Sequence, residues 1–311
     1  MQNRSIIHWL IFIVLGLTWG SSFILMKRGL DSFTSDQVAA IRIFTAFLFL
    51  LPIAYRHVKR ELLPKTFGFA GMGIFGNLLP AFMFTKAETM ISSALTGMLN
   101  SLTPVFTLLI GFFAFRQKAR PMQVIGIIVG LAGAVGLLLL KNEKNNVDPN
   151  LIVATGTIAK NVVAEKNLIW IGGALVVLAT FFYGLSVNII KSKLSGVSAV
   201  TATVCAMCII GPIAGVYLFT TDFIQRMHTM PLAWESLGYV SILAIFGTAL
   251  SVIVYNMLII EAGTLFAASV TYIIPIVAIM WGLFDGENVF WMHGVYIAVI
   301  LSGVWLVNKR T

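Results

Sequence analysis

The chain has 311 residues, of which 59% are hydrophobic and only 11% charged. Soluble domains carry about 45–50% apolar and about 25% charged residues, so this composition cannot cover a water-facing surface and excludes most soluble enzymes. The net charge is +9, but the basic residues sit in short clusters between apolar runs and form no stripe, which argues against nucleic acid as a partner and for a lipid bilayer.

Crossing a bilayer takes about 20 apolar residues per helix, and ten runs meet that need at about 8–26, 36–55, 67–85, 92–115, 121–140, 168–190, 197–220, 235–259, 264–284 and 289–307. Arg4 precedes the first run and no A-x-A-like cleavage site follows, so that run reads as a retained helix and not a signal peptide. No segment alternates with the period of two that an outer-membrane barrel requires. The expected fold is an all-α polytopic membrane protein. After the fifth run, residues 142–166, rich in Asn, Lys and Val, read as one long connecting loop, which divides the chain into units 1–141 and 167–311. Arg56, Lys59, Arg60, Lys65, Arg116, Lys118, Arg120, Lys191 and Lys193 fall on the membrane side of the N-terminus. That bias places both termini in the cytoplasm of a bacterial-type inner membrane and the 142–166 loop outside. Cys205 and Cys208 share one apolar run and read as packing residues, since two further ligands for a metal are not visible there. No cofactor is expected, and the oligomeric state, monomer or homodimer, is open.

The two units resemble each other. Ile74 to Gly111 lies over Ile245 to Gly282 at a constant offset, matching Ile-Phe-Gly at 74–76 with 245–247, Pro104 with Pro275, Gly111 with Gly282 and Phe84 with Tyr255. A second register lays Trp19-Gly20, Ser22 and Lys27 over Tyr183-Gly184, Ser186 and Lys191. Five runs per unit is an odd number, so the second unit enters the membrane from the opposite face. Inverted repeats of this kind are characteristic of secondary transporters, whose two halves rock about a shared site.

The first run ending WGSSFILMK, the second opening on SDQVAAIRIF and the prolines within the fourth and ninth runs resemble the EamA family of the drug/metabolite transporter superfamily. The resemblance extends over about 20–306 of the chain. In that family an acidic residue usually follows the proline near the helix end, ahead of a Gly-rich fifth helix. GLFDGENVF keeps this pattern with Glu287, whereas the first unit places Gln117 there, in AFRQKARPMQ. The resemblance implies a ten-helix carrier that moves small polar or amphipathic metabolites, often outward.

Polar residues within apolar spans are costly and usually face the bundle interior. Trp19, Ser22, Asn77, Asn100, Tyr183, Asn188, Thr248, Tyr255, Asn256, Thr271 and Tyr272 are therefore the expected substrate-binding residues. Pro104 and Pro275 each remove a backbone donor in mid-run and deprive the carbonyls of Asn100 and Thr271, so they are expected to kink and to bend during transport. Arg42, Asp285 and Glu287 are the candidates for charge pairing or coupling. Lys27 and Lys191 end equivalent helices and read as interface anchors. All twelve Asp and Glu residues fall in loops or near helix ends, so a midplane proton relay is not expected. Small residues four apart, as in Gly16–Gly20, Gly126–Gly130, Gly211–Gly215 and Gly282–Gly286, mark close helix packing within the chain.

Together these features predict a secondary transporter of a small metabolite, an amino acid or amphipathic compound, working by alternating access and in the direction of export. A channel or facilitative uniporter is the alternative. A membrane-embedded enzyme is disfavoured, because His8, His57, His228 and His293 lie far apart and no catalytic motif is present.

Overall fold

The computed structural model describes residues 6–61, 65–116, 120–140, 156–262, 267, 269–287 and 289–308. Among the described residues every regular element is a helix. Eight helices are long and apolar enough to cross a membrane: α1 (Ile6–Leu30), α2 (Ser35–Val58), α3 (Thr66–Glu88), α4 (Ser93–Phe113), α5 (Pro121–Leu139), α6 (Leu168–Lys193), α7 (Ala199–Thr220) and α8 (Ala233–Ala262). Two shorter apolar helices, α9 (Val270–Phe284) and α10 (Trp291–Leu306), stand where the ninth and tenth runs were expected.

One boundary differs from the sequence expectation. The helix that contains α6 begins at Gly156, so residues 156–166 of the expected loop are helical. Thr157 to Leu168 contains neither Gly nor Pro, and without either breaker a polar segment simply extends the helix that follows it. Residues 142–155, including Asn150, lie outside the described residues.

Local signals set several helix starts. Thr34 Oγ1 accepts from the Gln37 N–H at 3.3 Å while Gln37 Oε1 accepts from the Thr34 N–H at 3.1 Å, a reciprocal cap that starts α2. Ser92 Oγ accepts from the Leu95 N–H at 3.2 Å to cap α4, and Ser198 Oγ accepts from the Thr201 N–H at 3.2 Å to cap α7.

The helices pair as an internal two-fold requires. α2 packs on α7, α4 on α9 and α5 on α10, while α1 lies against α8 and α9 as α6 lies against α3 and α4. Advancing every helix by five maps each of these pairings onto itself or onto another of them. The closest approach is between α5 and α10, where a Cβ on Gly303 would lie 2.5 Å from the Gly130 backbone nitrogen. Gly211 and Gly215 likewise face Phe47 and Phe44 of α2, so these small residues serve packing inside the chain. Large apolar side chains such as Phe67, Phe113, Trp234, Phe284 and Trp291 are exposed on the outside of the bundle, as a lipid-facing surface demands.

Candidate functional site

A cavity of about 130 Å³ lies between the two repeats. Its walls come from α1 (Trp19, Ser22, Phe23, Met26), α3 (Met72, Gly76, Asn77, Phe84), α4 (Asn100, Thr103), α6 (Tyr183, Ser186, Val187, Ile190), α8 (Gly247, Val252, Tyr255, Asn256) and α9 (Thr271, Ile274), with Arg42 from α2. Apart from Arg42 these are three pairs of repeat-related helices. Their aromatic contacts repeat as well: Trp19 meets Tyr255 edge-on with ring centroids 4.9 Å apart, and the equivalent Tyr183 stacks on Phe84 at 5.7 Å.

Two backbone irregularities shape the walls. The Ile-Phe-Gly segments shared by the repeats fall in π-helical turns, Ile74–Leu78 in α3 and Leu243–Leu250 in α8. A π turn widens the helix by one residue, loosens its hydrogen-bond ladder and is frequent at functional sites. Here the loosened carbonyl of Gly247 accepts from Trp19 Nε1 at 3.0 Å, which fixes the indole at the cavity wall. The second irregularity is in α4 and α9. Instead of kinked continuous helices, each is broken: Ser93–Asn100 ends before a new helix, Thr103–Phe113, and a 3₁₀ turn at Ser269–Tyr272 precedes Ile274–Phe284. Pro104 and Pro275 sit in the first turn of the second pieces, where a missing N–H costs nothing. The Asn100 carbonyl deprived by Pro104 accepts instead from Thr103 Oγ1 at 2.9 Å. Asn100 and Thr271, the residues four positions before Pro104 and Pro275, both line the cavity.

Among the eleven residues expected to bind substrate, Trp19, Ser22, Asn77, Asn100, Tyr183, Tyr255, Asn256 and Thr271 line the cavity. The other three do not. Asn188 Nδ2 donates to the carbonyls of Thr107 at 2.9 Å and Gly184 at 2.8 Å, tying α6 to α4. Thr248 is buried behind the wall and its Oγ1 accepts from Arg42 Nε at 2.7 Å. Tyr272 packs into the apolar core beside α4 and α10. The apolar wall residues, Met72, Val187, Ile190, Val252 and Ile274, have no signature in a run where nearly every neighbour is also apolar.

On the face away from the N-terminus a cluster of charged residues joins the two repeats. Lys27 Nζ reaches Glu287 Oε1 at 2.7 Å and also pairs with Asp285, and Arg28 pairs with Asp285. Glu287 in turn accepts from the N–H groups of Ser93 at 3.1 Å and Ala94 at 3.0 Å and from Ser93 Oγ at 2.8 Å, placing a carboxylate on the N-terminus of α4, where backbone donors and helix dipole both favour it. Lys27, expected as an interface anchor, is thus one pole of a latch between the repeats, and Arg42 is not part of it. The carboxylates of Glu287 and Asp285 are 7% and 9% exposed, the cations 35% and 44%, so the latch is buried on its anionic side and differs from a surface ion pair. Burial pushes the Glu287 carboxyl up, but the hydrogen bonds from Lys27, Ala94 and Ser93 and the Lys27 charge outweigh it and hold the group below its ordinary value. On the same face Ser236 Oγ donates to the Arg28 carbonyl at 2.9 Å and Gln37 Nε2 donates to Asp222 Oδ1 at 2.7 Å, tying the α1–α2 turn to the α7–α8 connection.

Six lining residues, Met72, Ser186, Val187, Ile190, Val252 and Asn256, lie in the halves of α3, α6 and α8 nearer the N-terminal side. The repeat-related counterpart of Lys27 there is Lys191, which is exposed and has no carboxylate partner among the described ion pairs. The constant offset of 171 (282 − 111) sets Glu287 over Arg116, which is exposed, with Gln117 next in sequence and outside the described residues, so neither position supplies an acid.

Glu88 ends α3, as the sequence led one to expect, yet its side chain is buried. Both its carboxyl oxygens are shielded from solvent and have no hydrogen-bond partner among the described residues. Nearness to a helix end in sequence says nothing about the depth of the side-chain tip, and Glu88 folds inward, one turn beyond the wall residue Phe84.

The family model of the EamA-like transporter family matches residues 6–139 and 170–309, one match for each half of the fold. An uncharacterized inner membrane transporter of Escherichia coli (strain K12), YedA, is 25% identical over 94% of this chain and 87% of its own length. PagO of Salmonella typhimurium is 24% identical over 89% and 84%, and an uncharacterized transporter of Archaeoglobus fulgidus is 24% identical over 96% and 99%. One solved crystal structure superposes with a TM-score of 0.59 at 15% identity, covering 96% of this chain and 94% of that one, which extends the likeness to the whole fold. With both halves matched and the fold shared end to end, the chain belongs to the EamA-like transporter family.

Proposed function

We propose that the protein is a secondary carrier of the inner membrane that exports a small metabolite by alternating access, with both termini in the cytoplasm. One observation carries this reading: the cavity lies on the pseudo-two-fold between the repeats and is latched on one face by Lys27, Arg28, Asp285 and Glu287. A channel would need a continuous path, whereas a cavity sealed at one end by a breakable contact suits a carrier that exposes its site to each side in turn. The asymmetry of charge supports export. The outer latch has two carboxylates, while the inner counterpart has Arg116 and Gln117 where an acid would stand, so the unloaded carrier rests open to the cytoplasm and loads there.

The lining combines amides, hydroxyls and aromatic faces around a small volume. An engineered apolar cavity of about 150 Å³ takes up benzene, so a site of about 130 Å³ suits a metabolite of amino-acid size. The test is uptake by vesicles reconstituted with the purified chain and preloaded with candidate metabolites. A carrier shows saturation and acceleration by substrate on the far side; linear, unsaturable flux identifies a channel.

A further inference from the structure

We infer that Arg42 is an anion-binding subsite of the cavity and that the transported compound carries a carboxylate. This inference rests on the carrier reading. A guanidinium has five N–H donors and stays charged in proteins. Arg42 is only 9% exposed. Its Nε is used by Thr248, Nη1 faces the Met26 sulfur at 3.8 Å, a weak acceptor, and the Tyr183 hydroxyl also bonds to the guanidinium, three partners for five N–H donors. No carboxylate pairs with it among the described ion pairs. A buried cation is normally paired or bound to a ligand, and this one forms part of the cavity wall.

The rest of the lining contains no other Lys, Arg, Asp or Glu. One fixed positive charge complements a monoanion, and the planar fork of Arg42 matches the two oxygens of a carboxylate. A phosphate dianion calls for a second cation, yet Lys27 is already held by Asp285 and Glu287. A purely cationic solute would meet Arg42 with no acid among the wall residues; the Glu88 carboxyl lies within electrostatic range of Arg42 but is buried outside the wall. The bond to Thr248 acquires a purpose in this arrangement: with the Tyr183 hydroxyl it fixes the plane of the guanidinium, and the donors these two neutral groups do not use are left to the cavity. Trp19 and Tyr255 in the same wall offer faces that accept either an apolar group or the ammonium of an amino acid.

The test uses the purified full chain in lipid nanodiscs, with thermal stabilisation and Trp fluorescence as readouts. The probes are free L-amino acids, their carboxamides, benzoate, benzylamine and inorganic phosphate. At least one free acid is expected to stabilise the protein while its carboxamide does not. Arg42→Gln weakens that acid by about 10- to 100-fold, the worth of a charge-assisted hydrogen bond, and abolishes the preference for acid over amide. Arg42→Lys keeps the charge and part of the preference, which separates loss of the subsite from loss of the fold. Equal binding of acid and amide, preference for amines or phosphate, acid binding unchanged in Arg42→Gln, or no stabilisation by any carboxylate each overturns the inference. An acid that binds through Arg42 but is never moved into vesicles contradicts the carrier reading and leaves the subsite standing.

Discussion

Lys27 on the first repeat lies 2.7 Å from Glu287 on the second, and the same carboxylate holds the N-terminus of α4 through Ser93 and Ala94. Opening the cavity on this face must therefore break an ion pair and uncap a helix together. Glu287→Gln keeps the shape but weakens both, by about 2 kcal/mol in total once the exposure of the cation is allowed for. The outward-open population should rise about 30-fold, read as faster labelling of a cysteine at Ser22 by an impermeant thiol reagent added from outside.

The same contact fixes the pH response. The Glu287 carboxyl is held below its ordinary value of 4.5 by its hydrogen bonds and by Lys27 against the opposing effect of burial. A depressed carboxyl contributes stability that is fully present above the unfolded value and is lost only as pH falls through the lowered one. Labelling at Ser22→Cys from outside should be flat from neutral pH down to 4.5 and rise below it. A rise near neutral pH would assign gating to another group.

On the side of the termini, Arg116 and Gln117 stand where the repeat relation would call for an acid to pair with Lys191. Gln117→Glu should create the missing half of a second latch, slow cytoplasmic labelling of the cavity and lower the rate of exchange, whereas Gln117→Ala should leave both unchanged. Labelling from the two faces reads the balance directly.

Glu88 buries a carboxyl group whose oxygens meet no donor among the described residues. An unsatisfied buried polar group costs about 1–3 kcal/mol, so Glu88→Met should stabilise the purified protein by that order in thermal unfolding. A destabilisation would mean that the group has a partner in the membrane-embedded protein.

Pro104 begins the second piece of α4 after the break at Ser101 and Leu102. Alanine is favoured over proline by about 3 kcal/mol inside a helix, so Pro104→Ala should allow the two pieces to merge. The expected result is an equal or higher melting temperature together with slower exchange, measured on the same preparation, and Pro275→Ala should behave alike.

The fold was legible because a bilayer leaves few choices: length and apolarity located the helices, and the repeated Ile-Phe-Gly, proline and aromatic positions related the halves. Polar residues in apolar spans pointed to the cavity for Asn77, Asn100 and Asn256. Composition does not distinguish a polar group that meets the cavity from one spent elsewhere, as Asn188 is spent on the Thr107 carbonyl and Thr248 on Arg42. Nor did it distinguish Lys27 as a latch from Lys27 as an anchor, because its partners lie 258 and 260 residues along the chain (285 − 27 and 287 − 27). The π turns and helix breaks were hidden for a further reason: they depend on hydrogen-bond geometry that the residue pattern leaves open.

The most direct test of alternating access is two-sided labelling of one cavity residue. With Cys205 and Cys208 replaced by Ala, an Asn256→Cys reporter in reconstituted vesicles is treated with an impermeant thiol reagent from each face, with and without Glu287→Gln. Labelling is expected from the cytoplasmic face alone when the latch is intact, with added labelling from the outer face when it is weakened. Equal labelling from both faces with the latch intact, or an outer face that stays sealed in Glu287→Gln, would contradict it.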